Sequence, residues 1–394
     1  VHDADHLGLI AFFVAIAVAA AVPALLPRLA VPGVVLEILL GSLLGPPGLG
    51  LLQVGPIVSL LADLGLALLF FMAGFEVDPA VLRGRPMRLA VGGWVASAVI
   101  GGAVAFALHG FGIIEGPGFV ALAVTTTAIG ALMPILRDAG QLGPPYGPLV
   151  LAAGAVGEAA PIIGLSLLLA GAASIASQSA ILLLGALASL AAVIGAARFS
   201  EGRFAALMAR TMGGAGQLPL RLALLLTVVL VVLSETAGVD LVLGAFVAGA
   251  IGRAAMPHDL HESLMARLDG VGYGLLVPCF FIASGARLEV GAILAEPLAI
   301  ALMPLFAAIM LAARGVPAML LYRGDLDRGQ RAALALHLGT QLPLVVAIAS
   351  LAVRQGAMPA WQGTALVGGG ILTILIYPML AGRLLRRSAR IPPP

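Results

Sequence analysis

The chain contains no lysine; its 21 basic residues are all arginine. Charge of either sign is scarce, at 10% of 394 residues, while 61% are hydrophobic. Water-soluble domains carry about 25% charged residues. A chain this poor in charge fits a polytopic helical membrane protein instead. Cysteine occurs once, as Cys279 within an apolar run, so no intramolecular disulfide is possible and the redox compartment is not legible. The amino end, Val1-His2-Asp3-Ala4-Asp5-His6, is acidic rather than basic, and no cleavable signal peptide is expected. Also missing are His-Glu-x-x-His, a Walker A loop, Gly-x-Ser-x-Gly and any Cys/His cluster. Neither enzymatic chemistry, a cofactor nor a resident metal is expected. The arginines stand singly between apolar spans rather than in patches, which argues against nucleic acid as a partner.

What the chain does have is apolar runs bounded by Gly, Pro and Arg. They define thirteen expected spans, at 7–26, 31–44, 57–75, 87–108, 119–136, 146–170, 179–197, 219–234, 241–251, 271–284, 297–321, 330–353 and 362–385. The ninth and tenth are short. With the amino terminus outside, 18 arginines fall on the cytoplasmic side against two outside, Arg287 and Arg354, with Arg314 inside a span. That asymmetry satisfies the positive-inside rule and puts the carboxyl terminus in the cytoplasm.

Two pairs of motifs repeat seven spans apart. Phe70-Phe71-Met72-Ala73-Gly74-Phe75-Glu76-Val77 closes the third span, and Phe280-Phe281-Ile282-Ala283-Ser284-Gly285 followed by Glu289-Val290 closes the tenth. Thr125-Thr126-Thr127 with Pro134 in the fifth matches Gly339-Thr340-Gln341 with Pro343 in the twelfth. The expected fold is therefore all-α, with two six-helix repeats of opposite orientation, 1–170 and 219–385, joined by a linker helix at 179–197. The three consecutive threonines and the prolines weaken their helices. Freed backbone groups persist in a membrane only where protein or a cavity satisfies them, so both motifs predict broken helices that present backbone groups to an ion.

Glu158 sits in Leu151-Ala152-Ala153-Gly154-Ala155-Val156-Gly157-Glu158-Ala159-Ala160-Pro161, inside the sixth span. It lies roughly 18 Å from the start of that span, near the middle of a ~30 Å hydrocarbon slab. A carboxylate there needs a partner, a cavity or a proton, which makes ion or proton handling the expected role. Arg314, roughly 12 Å from the cytoplasmic end of the eleventh span, either snorkels to the interface or serves as counter-charge to Glu158. Glu37, Asp63, Glu235, Asp240, His109 and His337 read as structural; Glu37 is placed to pair locally with Arg28.

Pro32-Gly33-Val34-Val35-Leu36-Glu37-Ile38-Leu39-Leu40-Gly41-Ser42-Leu43-Leu44-Gly45-Pro46 resembles the second-span signature of the monovalent cation:proton antiporters, in their Kef/NapA-like branch. So do Leu64-Gly65 and the run Leu69 to Glu76; the run Thr125 to Asp138 resembles the family's crossing helix. Cys279 to Gly285 and Gly339-Thr340-Gln341 fall where the motifs of the second half belong. The resemblance implies one transmembrane transport unit over 1–394, with core helices at about 87–170 and 297–385. Two crossing broken helices move against a dimerisation domain, as in an elevator, in a homodimer of the inner cell membrane.

It also implies a carboxylate, where Glu158 stands, that binds cation and proton in turn, and a basic residue where Arg314 stands. Thr125, Thr126, Thr127, Gly157, Thr340 and Gln341 become candidate lining residues, with Glu158, Thr126 and Thr127 as ligands of the transported Na⁺ or K⁺. Two departures stand out. Gly157 occupies a position usually held by Asp, Asn or Gln, and Gly339-Thr340-Gln341 replaces Arg-Gly-Glu. Gly157 leaves open a reading as efflux of an organic or ionophore-bound cation, and a sensor with vestigial transport is the rival from another class. No soluble nucleotide-binding domain is expected within these residues.

Overall fold

The computed structural model of the chain describes residues 2–25, 32–46, 48–76, 84–129, 132, 136, 140–143, 145–169, 195, 202–213, 216–236, 241–288 and 297–388. Among them every regular element is helical. Helices α1 (His2–Leu25), α2 (Gly33–Leu44), α3 (Pro56–Glu76), α4 (Gly84–Gly110), α5 (Pro117–Ala123) and α6 (Tyr146–Leu169) make up the first part. Then come α7 (Gly202–Met212), α8 (Leu218–Thr236), α9 (Leu241–Ala255), α10 (His261–Val271) and α11 (Val277–Ala286). The chain closes with α12 (Pro297–Leu321), α13 (Arg328–Leu338), α14 (Pro343–Arg354) and α15 (Ala360–Ser388).

Among the described residues, eight helical runs are long and apolar enough to cross a membrane, and three shorter apolar helices accompany them. The linker helix expected at 179–197 lies, Gly195 apart, outside the described residues, as do Arg28, Gly130 and Pro134. The tenth span is longer than its expected 271–284. A helical run over His258–Ala286 passes through a π-turn at Gly272–Leu276. The polar stretch from His258 to Asp269 hid its beginning from a reading based on apolar runs.

The chain divides into two compact units. One holds Val1–Val54, Pro79–Pro161 and Phe281–Pro394; the other holds Gly55–Asp78 and Ile162–Phe280. The second unit has its core where Leu68, Phe71, Met72 and Phe75 of α3 meet Met208, Ala248 and Leu268. Gly74 lies so close to the Phe246 carbonyl, and Gly249 to that of Phe71, that neither position has room for a side chain. In the first unit, Ala90, Leu132, Val150, Ala152, Tyr322, Leu334, Leu338 and Leu385 form a core shared by α4, α6, α13 and α15. Large apolar side chains, among them Val99, Phe106, Ile300 and Leu320, are exposed, as a lipid-facing surface requires.

Both expected helix breaks occur in the first unit. Pro117 starts α5 behind a left-handed Gly116, and the helix stops after Ala123, leaving Thr126–Ala128 without helical conformation. Asp327 and Gln330 form a reciprocal capping box that starts α13; it ends at Leu338, and Pro343 at the first turn restarts the chain as α14. The bidentate pair of Arg85 with Asp325 (2.8 and 3.0 Å) joins the start of α4 to the turn after α12.

Candidate functional site

A helix that stops inside an apolar unit leaves its last carbonyls without partners. The threonine triplet supplies them locally. Thr125 Oγ1 donates to the Leu122 carbonyl at 2.8 Å, and Thr126 Oγ1 to that of Ala123 at 2.9 Å. The remaining groups are satisfied across the two breaks. Gln341 Nε2 donates to the Val124 carbonyl at 3.0 Å, and Gln341 Oε1 lies 3.2 Å from Thr126 Oγ1. Thr127 Oγ1 donates to the Leu338 carbonyl at 2.9 Å, and the Ala128 N–H to the Thr340 carbonyl at 2.9 Å. Thr340 Oγ1 turns back to Leu336 at 3.0 Å. Thr373 of α15 holds the Gln341 backbone, accepting from its N–H at 3.0 Å with its own hydroxyl 2.9 Å from the carbonyl. The two interruptions therefore satisfy each other, which lets them persist away from water.

Helix α6 docks on the first break through small residues. A Cβ on Gly154 would meet the Ile129 side chain at 2.7 Å. Gly157 is buried, and its carbonyl accepts from the Thr127 N–H at 3.1 Å. One residue on, Glu158 Oε1 accepts from the Ile129 N–H at 2.9 Å, where helical conformation resumes. A free N–H at a helix start is a favourable place for negative charge. Glu158 itself is partly buried.

Arg314 approaches from α12. It is 2% exposed and does not reach toward a surface. Its Nε and Nη2 donate to Thr127 Oγ1 at 3.1 and 2.8 Å, and Nη2 also donates to the Ala153 carbonyl at 3.0 Å. The guanidinium and the Glu158 carboxylate thus grip the same strand of break two residues apart, Arg314 at Thr127 and Glu158 at Ile129. Thr127 is the side chain through which Arg314 is tied to the first break.

That geometry bears on Thr127 and Gly157. Thr127 Oγ1 gives its proton to Leu338 and accepts twice from Arg314, so both lone pairs are engaged. In this arrangement it positions the arginine. The room left by Gly157 is also filled. A Cβ there would come 2.5 Å from Arg314 Nη2 and 2.6 Å from Thr127 Oγ1. The absence of a side chain at Gly157 admits the arginine.

Thr125, Thr126, Thr340, Gln341 and Thr127 all lie at this junction, each no more than 1% exposed. Sequence reasoning missed Thr373, whose hydroxyl clamps the Gln341 backbone at the second break; a Thr in the apolar run of α15 was its only signal. It also missed Tyr146, whose hydroxyl lies 2.7 Å from His337 Nδ1 next to the end of α13. Among the described residues, no group of three or more His, Cys, Asp or Glu side chains could hold a metal.

Comparison with known proteins gives this architecture its class. The family model described as sodium/hydrogen exchanger, transmembrane, matches residues 13–387, and the chain belongs to that family. It is thus a multi-pass membrane protein of a transporter family rather than an enzyme. It is 26% identical over 374 residues to the putative Na⁺/H⁺ antiporter YjbQ of Bacillus subtilis, covering 91% of this chain and 60% of that one. The probable Na⁺/H⁺ antiporter 3 of Methanocaldococcus jannaschii is 24% identical over 287 residues, 71% of either chain. Among solved structures, the sodium proton antiporter MjNhaP1 from Methanocaldococcus jannaschii at pH 8 has a TM-score of 0.67 at 15% identity. That match covers 98% of this chain and 99% of the other, and shows a shared fold.

Proposed function

We propose that the chain exchanges a monovalent cation, Na⁺ or K⁺, for a proton across the cell membrane by alternating access. One observation carries the reading: a membrane-span carboxylate, Glu158, is held by backbone at the junction of two broken helices beside a buried arginine. Glu158 is the shared carrier. A proton and a cation compete for the same carboxylate, so neither can be carried together with the other, and exchange is obligatory. Arg314 keeps its charge throughout, because a guanidinium is not deprotonated in proteins. It offsets the ionised carboxylate when the carrier is empty. With a proton or a monovalent cation bound, the site bears the same net charge, so one-for-one exchange is electroneutral.

Thr126 and Gln341, which meet at 3.2 Å, are the lining oxygens best placed to complete a cation shell around the break. The finer architecture belongs to the same reading: thirteen spans, two inverted repeats, crossing broken helices that move as an elevator, a homodimer, and a cytoplasmic carboxyl terminus. The repeated motifs and the arginine asymmetry support it.

Purified protein in liposomes, with a pH gradient and a panel of Na⁺, K⁺ and larger organic cations, tests the function. Dissipation of the gradient by Na⁺ or K⁺, and its loss in Glu158→Gln, is the expected result. Exchange of organic cations alone would overturn the assignment.

A further inference from the structure

Glu37 stands outside this machinery. It lies in α2, one turn before Gly41 and two before Gly45, so the three positions share a helix face. That face is pressed against α11. A Cβ at Gly41 would overlap the Ile282 carbonyl, one at Gly45 would come 2.7 Å from the Ala286 Cα, and one at Gly285 would overlap the Ile38 carbonyl. The two backbones touch there and leave no room for water. The Glu37 carboxyl oxygen Oε2 is enclosed and has no hydrogen-bond partner among the described residues. Arg28, its expected local partner, lies outside them.

Among the described side chains of the elements packed on this face, none is a charge to pair with it. Helix α2 has no other titratable residue, and neither does α11 from Phe281 to Ala286. Helix α1, which also packs on α2, carries His2, Asp3, Asp5 and His6 in its first turns, where side chains lie outside the described residues. The rest of α1 carries none.

We propose that Glu37 is a second proton-binding site in the membrane part of the chain, separate from Glu158 and occupied at neutral pH. An ionised carboxylate only accepts hydrogen bonds, and an enclosed oxygen without a donor would be an unpaired charge in apolar surroundings. Binding a proton removes the charge and turns that oxygen into a donor. The unfolded chain gives up this proton, because a solvated Glu ionises near pH ~4.3. The folded state then binds one proton more than the unfolded state at neutral pH, so its stability falls as pH rises and the proton is withdrawn.

Infrared spectroscopy of the full chain in detergent, with no ion gradient, tests this independently of exchange. The carbonyl band of a protonated carboxyl, shifted in D₂O, should be present in wild type near about pH 7 and lost in Glu37→Gln, while Glu158→Gln retains it. An identical band in Glu37→Gln overturns the proposal. Between about pH 7 and about pH 9, wild type should lose more melting temperature than Glu37→Gln, and equal losses would overturn it too. Should Glu37→Gln fail to fold, Glu37→Asp must move the band; a band that stays in place overturns the proposal as well.

Discussion

At Gly157 the missing carbon decides where a charge sits. Adding one methyl forces either the Arg314 fork or the Thr127 hydroxyl away from its partner, since both lie within 2.6 Å of the Cβ position. Gly157→Ala should destabilise the protein by about 1–3 kcal/mol, the usual cost of overpacking, and slow exchange by displacing Arg314. Thermal unfolding in detergent and liposome flux measure the two effects; a variant with wild-type values in both would contradict the geometry. Glu158→Gln keeps shape and can still accept from the Ile129 N–H, but cannot carry a proton. It should fold normally and lose coupled exchange altogether, and pH-driven cation flux in the purified variant would refute the carrier role. Glu158, Arg314, the threonines and Gln341 were legible in the sequence because such groups are rare in apolar runs. Their partners were not. The Ile129 N–H and the Ala153 and Leu338 carbonyls are backbone groups, which every residue has and no motif marks. The link from Arg314 to Thr127 belongs to the same blind spot.

At the scale of elements, the breaks were readable because Thr-Thr-Thr and Gly-Thr-Gln-Leu-Pro disfavour a helix wherever they stand. What could not be read is which element would clamp them. Thr373 reaches Gln341 from 32 residues away in sequence. Thr373→Val keeps the volume and removes the hydroxyl, leaving the Gln341 N–H without its buried acceptor. It should cost about 1–3 kcal/mol of stability with the fold intact. The glycines of α2 give a contrasting pair. Gly41→Ala drives a methyl into the Ile282 carbonyl, whereas Gly33→Ala finds nothing within 4 Å. Gly41→Ala should lower stability by about 1–3 kcal/mol or more, and Gly33→Ala should leave it nearly unchanged. Parallel melting curves decide this; equal effects would mean that α2 and α11 can part without loss.

For the whole molecule, the proposed exchange makes a claim about voltage. Gly157 cannot titrate and Arg314 keeps its proton, so under this proposal Glu158 carries the exchanged proton. The cation gradient at equilibrium should follow the pH gradient alone. In liposomes whose voltage is set by valinomycin and a K⁺ gradient, Na⁺-driven proton movement should keep the same reversal point. A reversal point that moves with voltage would require a second proton carrier within the cycle. The membrane class and the two-break design came from the sequence, since composition and helix breakers act locally. The division into two units did not, because the chain passes between them four times, at about residues 54, 78, 161 and 280.

The breaks also set a schedule for synthesis. The bonds that close the first one come from Leu338 and Gln341, 211 to 217 residues later in the chain. At roughly 5–20 residues per second, about 10 to 40 seconds separate the emergence of the two segments from the ribosome. Through that interval the Val124 carbonyl and the Ala128 N–H lack their native partners, and the nascent first half must borrow them from water or from the insertion machinery. A chain halted before Arg328 is therefore an unfinished fold rather than half of a finished one.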